Sequence, residues 1–288
     1  MNSIIFIVMD SCRYDSFAAA RTPNIDRLGT AQKRFSYASW TAPSHYTFCM
    51  GMMPHASPSG VMASEVYKDE FVQWRDRTGR SDIEFRTFLP RISLPKVLSD
   101  LGYRTVAKVS MPVLNPYTIL NQHWDEYKQM PNHNDFEGMI SEIDCEEDDP
   151  HFYFLNLGET HYPYMLSGEE LPRVSGVHGA LKLLGKDGQG GGQGGGKMGS
   201  EEASQVATAG AKDFFTPERF ASLHQQQTVC VEYVDSMIGN LMEIVPTGTH
   251  FIVTADHGEL FGEDGYFGHG PIMHSKCFEV PFVEGSLK

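Results

Sequence analysis

The chain has 288 residues, 41% of them hydrophobic and 21% charged, which suits one large α/β domain with a substantial core and excludes a wholly disordered or collagen-like chain. Its 23 basic residues against 37 acidic ones give a net charge of −14. That balance argues against nucleic-acid or anionic-membrane binding, which needs clustered Lys and Arg, while leaving room for a small anionic substrate in a local pocket.

The first predicted element is Ile4–Met9, an apolar, β-branched run that ends in Asp10. It reads as a central parallel strand buried on both faces, not as a signal peptide, because no basic flank or small-residue cleavage site accompanies it. No apolar run reaches the ~18–20 residues of a membrane span. Thr22-Pro23 reads as a helix N-cap and first turn, and Ser44–Met50 as the start of another helix after Pro43. Residues 64–90 are charged and aromatic without a period, and read as a surface insertion. Leu94, Val97, Leu98 and Leu101 have the spacing of an amphipathic helix, with Gly102 as its C-cap. Strands are expected at Tyr103–Val109, Phe152–Leu157 and His250–Thr254, and a long helix at Phe220–Ile244. This alternation points to a mostly parallel central sheet sandwiched by helices, in a single domain over 1–288.

Residues 142–149 hold six acids in eight positions and read as a solvated loop. The run GKDGQGGGQGGGKMG at 185–199 reads as a flexible loop, since it has nothing to bury against its backbone entropy. Five scattered cysteines form no CxxC pair, so neither a disulfide framework nor a structural zinc is expected, and a reducing cytoplasm is the default. Cys12 reads as a packed thiol.

In open parallel sheets, ligands sit outside the carboxyl ends of strands. Asp10 ends one strand; Asp256 and His257 end another. Singly, a strand-end Asp often caps the next helix; together the three form a plausible divalent-metal set with O and N ligands. Thr41, in Ser39-Trp-Thr-Ala-Pro-Ser-His45, is placed to be both nucleophile and metal ligand, because a bound metal makes the alkoxide accessible near neutral pH.

These blocks, taken in order, resemble the sulfatase and alkaline phosphatase superfamily. They are IIFIVMDSCRYD, TPNIDRL, TAPSH, LPKVLSDLGYRTVAKVS, FYFLNLGETHYPY, TADHGELFGEDGYFGHG and a closing VPF, spanning Ile4 to Val283. The resemblance implies an alkaline phosphatase-like fold and a metal-dependent ester hydrolase or transferase. It implies Asp10, Thr41, Asp256 and His257 as metal ligands, with Thr41 also the nucleophile. It implies His161 and Lys108 on the substrate oxyanion, His45 where sulfatases carry an Arg, and His269 on the leaving oxygen or, with His161, on a second metal. Glu159 is a further residue that could orient His161 or reach a metal.

Three departures from the sulfatase pattern set the chemistry. The nucleophile is Thr41, which cannot mature to formylglycine as Cys or Ser does. Ser11 stands in place of a second acid, and Asp256-His257 in place of Asp-Asn. The resemblance therefore leans to the phospho-transferring branch, with Zn or Mn as cofactor (Mg or Ca as alternatives), one or two ions, and a small anionic ester as substrate. A sulfate-ester or phosphonate hydrolase and a non-catalytic binding protein are the competing readings. The family usually continues into a small C-terminal subdomain, which this chain, ending five residues after Val283, is expected to lack.

Overall fold

The computed structural model describes residues 1–50, 73, 75–76, 79, 81, 93–144, 149–166, 168, 171, 181–182, 214–270 and 272–288. The expected Gly-rich loop at 185–199 and nearly all of the expected insertion at 64–90 lie outside the described residues.

Among the described residues a seven-stranded sheet runs β2 (Gln32–Phe35), β10 (Glu279–Ser286), β7 (His250–Ala255), β1 (Ile4–Met9), β5 (His151–Leu157), β3 (Arg104–Val109), β4 (Glu126–Gln129). Strand β1 pairs in parallel with β5 and β7, and β3 in parallel with β5 and β4, whereas β10 is antiparallel to both its neighbours. A smaller sheet joins β6 (Leu181–Lys182), β9 (Tyr266–Gly268) and β8 (Leu260–Phe261). This is the expected α/β architecture.

The period-2 alternation of β1 divides the core. Ile5, Ile7 and Met9 pack with Val231, Val234, Ile238 and Leu241 of a long helix, α5 (Pro217–Ile244). Phe6 and Val8 face the other way, toward Phe48 of α2 (Thr41–Met50) and Leu94 and Leu98 of α3 (Leu94–Asp100). A strand apolar on both faces is what two helical layers require. Each side chain fully buried here contributes roughly 1.5–3 kcal/mol. Helix α5 starts as its sequence dictates, with Pro217 in the first turn and the Thr216 side chain accepting from the Arg219 amide at 3.3 Å.

Three local expectations are corrected. The TPNIDRL segment forms only a 3-10 turn at Ile25–Arg27, because tertiary bonds hold it: Asp235 of α5 accepts from the Asn24 and Ile25 amides at 3.1 and 2.8 Å. Helix α2 begins at Thr41, three residues earlier than expected, which puts the hydroxyl on the first turn. The acidic run at 142–149 is not wholly solvated either, since Glu142 pairs with Lys108 and Lys128.

Glu159, just past β5, is fully buried in the same layer. Its Oε1 accepts from the Phe136 amide at 2.8 Å, at the start of α4 (Phe136–Ser141), while Oε2 has no partner. Neither oxygen bonds His161, so the orienting role that the sequence left open for it is not seen. Burial pushes its carboxyl up to about 7. A raised folded-state pKa stabilises below the ordinary carboxylate range and loses that contribution as pH climbs through about 7. Glu159→Gln is therefore expected to remove on the order of 3 kcal/mol of pH dependence between pH 4.5 and 8. Urea unfolding of both proteins across that range checks it; parallel curves would refute it.

Candidate active site

The sheet alternation continues past β1 and β7, turning Asp10 and Asp256 toward the α2 side, where Thr41 lies. All three are fully or almost fully buried, as is His257. Thr41 Oγ1 lies 3.4 Å from Asp10 Oδ1 and 3.2 Å from His257 Nε2. His257 Nε2 lies 3.7 Å from Asp10 Oδ1 and 3.4 Å from Asp256 Oδ2. Ligand atoms of Asp10, Asp256 and His257 all fall within 4.8 Å of one another, the one such cluster among the described residues. Four donors at tetrahedral positions about a cation with ~2.0–2.1 Å bonds would stand about 3.3 Å apart. The four donor pairs just described, at 3.2–3.7 Å, stand close to that spacing.

The donor chemistry fits a cation as well. Asp256 Oδ2 is buried and has no hydrogen-bond partner. Burial and the neighbouring Asp10 charge raise the Asp256 carboxyl well above its ordinary range. Burial would raise Asp10 too, but His161, His257, His45 and His269 outweigh it and hold Asp10 low. Without a cation, one proton on Asp256 is the cheapest way to relieve two buried carboxylates. Burial, with His269 nearby, pushes His257 well below the ordinary imidazole range, so it is neutral and able to ligate.

Four rings surround the cluster, and each commits Nδ1 to an acceptor. His257 Nδ1 donates to Gly258 O at 2.9 Å, His45 Nδ1 to Thr41 O at 2.8 Å, and His161 Nδ1 to Tyr162 O. His269 Nδ1 lies 3.2 Å from Glu259 Oε1, and Tyr164 Oη donates to Glu259 Oε2 at 2.6 Å. The Nε2 atoms of His257 and His161 turn to Asp10, that of His161 at 3.9 Å. His161 and His269 rings lie 5.1 Å apart, and those of His257 and His269 4.3 Å apart. Burial lowers His161 and His45 as well.

One expected site residue is placed elsewhere, and another is packed among aromatic rings. Lys108 is in register with Leu155, which faces α5, so strand parity sends its side chain to the sheet face opposite Asp10. There its ammonium meets Glu126 at 3.1 Å and Glu142 at 2.8 Å. His45 stays beside the cluster, its Nδ1 3.7 Å from Asp256 Oδ2, with its ring packed edge-on to Phe48 and Phe154. Cys12 is a packed thiol, as expected, and burial raises it far from thiolate.

Several supporting residues gave no sequence signal. Asn156 of β5 donates to Asp10 Oδ2 at 3.2 Å while accepting from the Met111 amide at 3.2 Å. Ser11 sits at φ 61°, a left-handed conformation that costs an L-residue about 1–3 kcal/mol. It aims the Ser11 amide at Asp256 Oδ1, 3.1 Å away. Gly258 must be glycine, since a Cβ there would stand 2.0 Å from the Lys276 carbonyl.

A mostly parallel sheet flanked by helices, with two acids, a histidine and a helix-start hydroxyl gathered at its strand ends, is an alkaline phosphatase-like fold. The chain belongs to the sulfatase family, whose profile matches residues 2–284. Solved structures share the fold at low identity. A 2-O GAG sulfatase superposes with TM-score 0.61 at 13% identity, over 99% of this chain and 64% of that one. The C-terminal periplasmic domain of phosphoethanolamine transferase EptC from Campylobacter jejuni gives 0.54 at 15%, over 99% and 80%. The phosphonate monoester hydrolase of Agrobacterium radiobacter gives 0.56 at 15%, over 99% and 68%. The chain thus spans just under two thirds of that sulfatase's length. A search of curated protein sequences returns no match. Among the described residues no helix is long and apolar enough to cross a membrane.

Proposed function

We propose that this protein cleaves or transfers a phosphoester, with Thr41 as nucleophile beside a divalent cation, Zn or Mn, held by Asp10, Thr41, Asp256 and His257. The observation that carries the reading is the convergence of four buried donor groups, one of them a hydroxyl at 3.2–3.4 Å from two others. A cation bound there supplies charge that lowers the hydroxyl pKa and offsets the carboxylate pair. Thr41 Oγ1 attacks phosphorus and the bond to the leaving oxygen breaks, giving a phospho-threonine; water or an acceptor alcohol then releases the group. His161, the most exposed of the four rings at 19%, is the residue left to meet a non-bridging oxygen. His269, its Nδ1 held by Glu259, has Nε2 left for the leaving oxygen.

Thr41 favours phosphorus over sulfate, because a threonine cannot become the aldehyde hydrate that formylglycine chemistry uses. Four cysteines (Cys12, Cys49, Cys230, Cys277) that are free and buried support a reducing compartment, in line with a cytoplasmic location. Parallel assays with an aryl phosphodiester, an aryl phosphonate and an aryl sulfate, each with the same leaving group, test the reading. Phosphodiester turnover is expected to exceed sulfate turnover by about 100-fold or more, a difference of roughly 3 kcal/mol in transition-state binding. A preference for the sulfate or the phosphonate hands the site to that competing chemistry.

A further inference from the structure

Helix α5 carries its apolar face at Phe220, Leu223, Cys230, Val231, Val234, Ile238 and Leu241, yet at Gln227, in the same stripe, it buries an amide completely. All four hydrogen-bonding positions of that amide are used. Oε1 accepts from Ser16 Oγ at 2.6 Å and from the Arg13 amide at 3.3 Å. Nε2 donates to Ser11 O at 2.9 Å and to Thr160 O at 3.1 Å. These partners belong to two strand-end loops, one leaving β1 after Asp10 and one leaving β5 before His161. Thr160 Oγ1 adds a direct bond between the loops, to Asp10 O at 2.7 Å.

The backbone at Ser11 is the junction. Its carbonyl is held by Gln227, its φ is left-handed, and its amide is the donor to Asp256 Oδ1. A side chain that fixes this backbone fixes the orientation of two carboxylates at once. An apolar residue would serve the packing of α5 equally well, so packing does not account for an amide here.

We propose that Gln227 is a positioning residue: by tying the Ser11 and Thr160 carbonyls to one amide, it sets the spacing of Asp10, Asp256 and His161. The inference rests on reading Asp10, Thr41, Asp256 and His257 as a cation site. It predicts a loss of cation affinity separable from a loss of stability.

The experiment measures Zn2+ affinity by competition with a chromogenic chelator, on full-length folded protein and without substrate. Gln227→Leu is expected to keep a cooperative melt and to bind Zn2+ about tenfold or more weakly, the usual cost of removing an outer support of a metal site. Val234→Ala, a buried α5 position in the hydrophobic cluster, is the control for lost stability and should stay within about twofold of wild type. Gln227→Asn, one methylene too short to span both loops, carries the test where the leucine variant fails to melt cooperatively; an intermediate loss of at least about threefold is expected. Wild-type affinity in a folded Gln227 variant, or an equal loss in Val234→Ala, overturns the inference. Wild-type protein that takes up no Zn2+ overturns the cation site itself, which is a different result.

Discussion

Thr41→Ala is expected to lower turnover of an activated aryl phosphodiester by at least about 10⁴-fold, the scale on which removing a nucleophile that acts in a constellation is felt. The fold should survive, because Thr41 takes the first position of α2, where alanine is a good helix former, and its carbonyl still accepts from His45. Three of the four donors, Asp10, Asp256 and His257, remain within 4.8 Å of one another, so the variant should still take up metal, more weakly. Thr41→Ser keeps the hydroxyl and should recover most of the lost rate. Steady-state kinetics with metal analysis on the same samples reads both effects. A Thr41→Ala protein that turns over like wild type removes the nucleophile from the proposal, whatever its metal content.

The second large effect is thermodynamic. Adding Zn2+ to chelator-treated protein at about a thousand times its dissociation constant should stabilise the fold by about 4 kcal/mol. For a chain of this size that is a rise in Tm of roughly 10 °C. The rise should be larger at pH 8 than at pH 6. In the cation-free protein, burial and Asp10 raise Asp256 well above its ordinary range, so the free fold loses stability as pH climbs through that raised value. Metal uptake displaces that proton more easily at high pH. His257 does not add to this difference: its lowered folded-state pKa gives stability above the ordinary imidazole range that is lost as pH falls below it, and it has no proton to give up on ligating at either pH. Asp256→Asn should stabilise the metal-free protein by relieving the carboxylate pair, and should abolish most of the Zn2+-induced rise. Scanning calorimetry at the two pH values decides it; a metal effect independent of pH, or one retained in Asp256→Asn, would contradict the assignment.

What the sequence revealed follows from where the physics is local. The strands are legible because parallel strands buried on both faces are continuous apolar runs, and the cation donors because they stand at the ends of those runs. Thr41 is legible from the Pro-bent helix start, though the helix begins on the threonine itself. Lys108 illustrates the opposite case. Its residue type suits an oxyanion site, but one step of strand parity turns it to Glu126 and Glu142 on the far face. His45 lies one helical turn from Thr41, yet its ring lies against Phe48 and Phe154, a packing choice no linear pattern records. Asn156, Glu259 and Ser11 act through bonds to residues as many as 245 positions away, such as that from the Ser11 amide to Asp256. Gln227 alone left a trace, a polar residue in an apolar helical stripe, and its meaning appears only once two strand ends are seen beside it.

The donors at positions 10 and 256 come from opposite ends of the chain and meet only because β1 and β7 are neighbours in the sheet. During synthesis, therefore, the half-site at Asp10 waits until β7 has been made and paired with β1. At the proposed site, cation loading would then follow the pairing of β1 with β7, and a chain that stops before β7 would lack Asp256 and His257 as donors.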